Sequence, residues 1–336
     1  MMNRIVWLDY GKAMAIYLVI LAHTALYGPL EGFIYTFHMP FFFFISGYLF
    51  SFEKHASYGR FVKRRFYQLI IPYIFINIIT YLFWFFVSSR VGDDADSTTN
   101  ALSPLWATFI VRAEQMVHDV PLWFLAALFI VENIYYLLYK NRKYNISATI
   151  FLVIAALLND RYNPQRLPFC IDIAIAGTLF YAFGNYMRHF GEKAYKVIPF
   201  ILSFAATILI YHLNGRVAMH VNEYCNILLF LAGGVCGCYF MSCISVFLQK
   251  HIGSNRLVKF IASSTLLICA FHLPTFTFIK GVMLYILQLH PSKIAGTILP
   301  NMLFAIVSLA ASLAIAWIVR RYLPLLAGKA RNKCAK

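Results

Sequence analysis

Long apolar stretches, separated by short clusters of lysine and arginine, follow one another along the whole chain. Segments that supply the roughly 20 apolar residues needed to cross a bilayer fall at approximately 5–27, 33–52, 67–88, 121–139, 145–159, 169–187, 197–213, 224–248, 260–279 and 297–319. The pattern predicts an all-α polytopic integral membrane protein of about ten transmembrane helices, built as a single membrane domain over residues 1–336. The fifth segment is short for the thickness it must cross. No stretch recurs with the period of about 20–50 residues that marks a repeat protein. One loop is long, roughly 88–120. Its acidic start, SSRVGDDADSTTN, has the composition of a disordered segment. The following LWATFIVRAEQMVHDV is mildly amphipathic and is expected to form a helix on the membrane surface.

Charge orients this array. With both termini cytoplasmic, most of the 29 Lys and Arg fall in cytoplasmic loops and the two ends, leaving Arg90, Arg112, Arg161, Arg166, Arg216, Lys280 and Lys293 elsewhere. That distribution satisfies the positive-inside rule. The formal net charge of +16 therefore reads as a topology signal, and nucleic acid is not an expected partner, because no soluble basic domain gathers the charge. The first apolar stretch lacks a small-residue cleavage site and is expected to remain in the mature protein. The composition agrees: 61% hydrophobic, 12% charged, with a mean hydropathy of +0.69, outside the soluble range. The cysteines sit in or beside the spans, apart from Cys334 in the tail, without CxxC spacing; neither disulfides nor a metal site is expected, and no metal is called for.

Ionisable groups inside apolar segments are costly and mark function by default. Eleven residues advance an ideal helix by about three turns plus ~20°, and by ~16 Å. Lys12 and His23 therefore share a face of the first span, and Asp9 falls ~40° from the same line. His38, in the second span, stands at a depth similar to His23 across the short turn Gly28–Gly32. Together they describe a polar channel reached from the cytoplasm. An imidazole held neutral in low dielectric is the natural general base near pH 7, and Asp9 is expected to pair with Lys12 and so lower the cost of burying either.

These residues lie in RIVWLDYGKAMAIYLVILAHT and FHMPFFFFISGYLF, followed by a basic RR and LIIPY. The series resembles the amino-terminal signature of the membrane-bound acyltransferase-3 family, in particular its fucose 4-O-acetylase-like branch. LWFLAALF, PFCIDIAIAGTLFYAFGNYM and SSTLLICAFHLP resemble later blocks of that branch in the same order. The family's basic residue and histidine, with ten residues between them, map onto Lys12 and His23; many members carry arginine at the first position. The resemblance implies transfer of an acetyl group from cytoplasmic acetyl-CoA, a cosubstrate, to a hydroxyl of an extracytoplasmic or lipid-linked carbohydrate, in a bacterial cytoplasmic membrane and among its lipids. On this reading His23 is the expected catalytic base, and the helix geometry adds His38, Lys12 and Asp9 to the expected catalytic group.

Lys63, Arg64 and Arg65 form a basic cluster at the mouth of the first two spans and suit the phosphates of coenzyme A, together with Lys12. Trp123, Asp172, His272 and Glu132 are candidates for contact with substrate. Asp172 and Glu132 are carboxylates within apolar spans, His272 repeats the context of His38, and Trp123 has a face on which a sugar can stack. His212, His220 and His290 lie near loops and carry no special reading. The phenylalanines at 41–44 read as packing and lipid surface. Intramembrane charges also mark transport pathways, so the alternative is a secondary transporter or flippase for a sugar or lipid-linked saccharide; the matched, broken helices of many transporters are not seen in the sequence.

Overall fold

A computed structural model of the chain describes residues 4–55, 57–91, 100–162 and 166–328. The acidic part of the long loop, 92–99, lies outside them. The described residues are helical, with no β-sheet. In chain order the helices are α1 (Val6–His23), α2 (Pro29–Tyr35), α3 (His38–Leu49), α4 (Tyr58–Ser88), α5 (Leu102–Ile110), α6 (Trp123–Tyr139) and α7 (Asn145–Tyr162). There follow α8 (Ile171–Met187), α9 (Val197–Asn214), α10 (Ile227–Ile252), α11 (Arg256–Ser263), α12 (Thr265–Ile286) and α13 (Ile298–Tyr322).

Nine helices among the described residues are long and apolar enough to cross a membrane, α2 and α3 counting together as one. The protein is a multi-pass membrane protein. The fifth expected segment, α7, is not among the nine, because its last turn carries the polar run Asn159, Asp160 and Arg161. It nevertheless links the two ends of the bundle. Tyr139, at the end of α6, bonds Thr149 at 2.7 Å, and Asn159 bonds Asn222 in the α9–α10 loop at 3.1 Å.

Helix α1 is central, packed against α3, α10, α11, α12 and α13. Most of α9 and one side of α13 instead show Ile, Leu and Val to the outside, as a lipid-facing surface requires. The closest crossing joins α3 to α8. A methyl group at Gly47 would lie 1.9 Å from the Tyr181 carbonyl oxygen, and one at Gly184 would lie 1.9 Å from that of Phe44. Small residues let membrane helices approach backbone to backbone in this way. Phe41, Phe43 and Phe44 are buried within this packing and Phe42 lines a cavity, so the phenylalanine run is core rather than lipid surface. Helix α4 contains π-helical turns at Phe66–Ile70 and Trp84–Ser88; α12 carries Pro274 inside and ends in a π-helical turn, Val282–Ile286.

Three connections depart from the expected pattern. The turn after α1 is Thr24–Gly28, with Gly28 at φ +97°, while Gly32 lies within α2 against Tyr211. In the long loop, α5 exposes Leu102, Trp106 and Phe109 as a surface helix would, but the chain after it folds inward and buries Ala113, Met116, His118 and Asp119. The tenth segment's neighbour, expected at 260–279, is instead α11 plus α12, broken at Ser264.

Candidate active site

Two cavities meet at His23. The first, of about 180 Å³, runs from His23 toward the N-terminal end of α1 and is lined by Lys12, His38, Tyr35, Ser46, Trp123, His220 and Thr265, among others. The second, of about 750 Å³, lies beyond the C-terminal end of α1, where Thr24, Tyr27, Trp84, His118, Lys280 and His290 contribute to its walls. His23 is the last residue of α1. The helical period that puts Lys12 and His23 on one face therefore places both on the first cavity, and the helix terminus opens His23 to the second as well.

The imidazoles are fixed by their own backbones. His23 Nδ1 lies 2.7 Å from the Val19 carbonyl oxygen, His38 Nδ1 2.8 Å from that of Ile34, and His272 Nδ1 2.8 Å from that of Cys269. A carbonyl oxygen only accepts, so each Nδ1 carries the hydrogen and donates it. Nε2 is left with its lone pair, the arrangement a proton acceptor requires. The rings of His23 and His272 meet edge to face at 5.2 Å. His272 is fully buried, lines neither cavity, and has an Nε2 without a hydrogen-bond partner, so it backs His23 rather than facing substrate. His38 packs edge-on against Tyr35 at 5.0 Å, and the guanidinium of Arg216 stands over the Tyr35 ring at 4.9 Å while bonding Glu31 at 2.9 Å.

Several sequence expectations are redirected by pairing. Asp9 does not pair with Lys12. Arg4, just before the helix, folds back to hold both its carboxylate oxygens at 2.6 and 3.0 Å. Lys12 makes no hydrogen bond or ion pair among the described residues and lines the first cavity. Arg65 and Glu132 are bound to each other through a bidentate contact, with Gln68 on the remaining nitrogen at 2.8 Å. Neither is turned to a ligand. Lys63 and Arg64 remain exposed beside them on α4. Asp172, instead of facing substrate, is fully buried against Arg166 Nε at 2.6 Å, and Arg166 also bonds Glu114 at 3.0 Å. Trp123 is buried and forms part of the first cavity's wall.

Two loop histidines that carried no expectation enter the cavities. His220 lines the first; burial, with His23, Arg166 and Arg216 nearby, holds its imidazole down to about 4, so it is neutral at pH 7. His118, held down to about 4 by burial, lines the second and donates from Nε2 to Asn77 at 2.9 Å. Asp119 beside it is fully buried with neither carboxylate oxygen hydrogen-bonded, and burial raises its carboxyl well above the ordinary range. Nothing in the local sequence marks these residues, since a loop lacks the period that reports on a helix face.

The chain matches the acyltransferase domain family over residues 5–321. It belongs to the acyltransferase-3 family. No curated protein and no solved structure matches it. Membership covers all the helices described above and agrees with an acyltransferase embedded in a membrane. His23 is the residue that the two cavities share.

Proposed function

We propose that this protein is an O-acyltransferase of a bacterial cytoplasmic membrane, of the fucose 4-O-acetylase-like branch, that moves an acetyl group from acetyl-CoA to a carbohydrate hydroxyl. The observation that carries the reading is the position of His23 between two cavities, with Nδ1 donated to Val19 and Nε2 left as a base. Both termini lie in the cytoplasm, as the loop charges favour. The thioester end of acetyl-CoA occupies the first cavity. Lys12 and, at the surface, Lys63 and Arg64 attract its phosphates; Arg65 is excluded by its pairing with Glu132. The acceptor, a glycan or lipid-linked sugar, approaches through the second cavity, where Tyr27, Trp84 and Tyr285 offer aromatic surface.

In the reaction His23 Nε2 takes the proton of the acceptor hydroxyl as its oxygen bonds to the thioester carbonyl carbon. Collapse of the tetrahedral adduct breaks the C–S bond, and the leaving thiolate takes the proton from the His23 imidazolium, giving the ester and CoA. A positioned general base is worth roughly 10²–10⁴-fold. Purified protein in liposomes, given acetyl-CoA labelled in the acetyl group and a panel of glycans and lipid-linked sugars, tests this. CoA release and label transfer that fall by that factor in His23→Ala support it. Absence of any acetyl-CoA binding or turnover by the wild type sinks it and returns the weight to a transporter.

A further inference from the structure

His23, His38 and His272 are all locked as the Nδ1–H form by carbonyls of their own helices. Toward their surroundings they present only a lone pair, so none of them donates a hydrogen bond to a ligand while neutral. His220 is different. It sits in the turn Met219–Val221 of the α9–α10 loop, and among the described residues its ring nitrogens make no hydrogen bond. A neutral ring without that lock carries one N–H and one lone pair, and is able to turn the N–H toward the cavity.

The backbone beneath it is held. Arg166 Nη1 donates to the His220 carbonyl at 2.9 Å, Asn159 bonds Asn222 at 3.1 Å, and Asn214 bonds the Tyr224 carbonyl at 2.9 Å. Arg166 is itself anchored by Asp172 and Glu114. An ion cluster centred on the buried Asp172 thus presents one loop imidazole to the cavity that His23 and His38 also line. Acyl transfer places negative charge on the carbonyl oxygen, and preorganised donors aimed at that oxygen supply a large share of many rate enhancements. The cavity's cation, Lys12, is about 16 Å from His23 along α1, too far to serve there.

We propose that His220 touches the acyl donor, donating its N–H to the thioester carbonyl oxygen as the tetrahedral adduct forms. The inference rests on the acyl-transfer reading above. As the acceptor oxygen bonds to carbon, the carbonyl π pair moves onto oxygen and is held by the His220 N–H. When the C–S bond breaks the pair returns to re-form the carbonyl, and His220 keeps its proton throughout.

The test compares wild type, His220→Ala and His220→Gln in liposomes, with acetyl-CoA as donor, the same acceptor panel, CoA release as readout, and thermal midpoints measured alongside. His220→Ala is expected to lower kcat about 10²-fold while leaving KM for acetyl-CoA within about threefold. His220→Gln, which keeps an N–H donor, is expected to recover at least about a tenth of the wild-type rate. Wild-type turnover by His220→Ala overturns the inference. So does equal loss in both variants with a lowered midpoint, which marks a collapsed loop. A wild type that never turns over acetyl-CoA overturns the acyl-transfer reading and this inference together; an active wild type with an unimpaired alanine variant overturns this one alone.

Discussion

The imidazoles of His23 and His272 meet edge to face, centroids 5.2 Å apart and planes at 74°, each tied through Nδ1 to its own helix. The contact joins α1 to α12. His272 thus sets where His23 stands without reaching either cavity.

If that is its part, shape matters more than basicity at 272. His272→Phe should keep the wall and leave acetyl transfer within about threefold of wild type. His272→Ala should open a void, costing on the order of 2–4 kcal/mol, and lower kcat more than it raises KM. Thermal unfolding in detergent and steady-state kinetics read both; a phenylalanine variant as inactive as His23→Ala would mean that the His272 nitrogen itself takes part.

Arg65 and Glu132 give an asymmetric pair of variants. The Glu132 side chain is 3% exposed and that of Arg65 24%. Arg65→Met strands a buried carboxylate and should cost about 3–5 kcal/mol. Glu132→Leu leaves an arginine that still reaches water and should cost less. The double variant should recover most of the stability, as apolar replacements of buried pairs do, with KM for acetyl-CoA unchanged. A raised KM in the double variant would restore Arg65 to the phosphate site.

Gly47→Ala and Gly184→Ala should each prevent the α3–α8 crossing, since the added carbon meets a neighbouring carbonyl oxygen at 1.9 Å. Little monodisperse protein is expected on size-exclusion chromatography. Gly59→Ala, on α4 with nothing within 4 Å, is the control and should behave as wild type.

Asp119 carries a pH signature. Its carboxyl is raised by burial in the folded protein, so folding favours the protonated form. The stability this gives is complete below the ordinary value of 3.8 and is lost as pH rises toward the folded value. Asp119→Asn removes the titration. Its melting midpoint should exceed that of wild type at pH 8, and the gap should narrow steadily as pH falls toward the ordinary value of 3.8. A gap of constant size would show that ionisation is not the cause.

The sequence revealed the spans and the one-sided placement of Lys12 and His23 because both follow from a local period: apolar length for the spans, 3.6 residues per turn for the stripe. What it hid is pairing at long range. Arg65 finds Glu132 across 67 positions and Arg216 finds Glu31 across 185, and no period encodes which charge meets which. Asp9 finds a different partner for a smaller reason. The helical rule offered Lys12 as partner, but Arg4 lies outside the helix and is free of its geometry. His220 and His118 are invisible to such a period because where a loop holds a side chain depends on contacts from elsewhere, here Arg166 and Asn77.

The backbone-to-backbone seam between α3 and α8 has a mechanical consequence. Where no side chain separates two helices there is nothing to repack, so that half of the molecule behaves as a stiff frame, with His38 carried on it. The opposite half, α4 and α12, is interrupted by π-helical turns and by Pro274, the places where helices bend. Those two helices also wall the larger cavity. Breathing that opens the larger cavity is therefore expected on the α4–α12 side, while His38 stays with the frame.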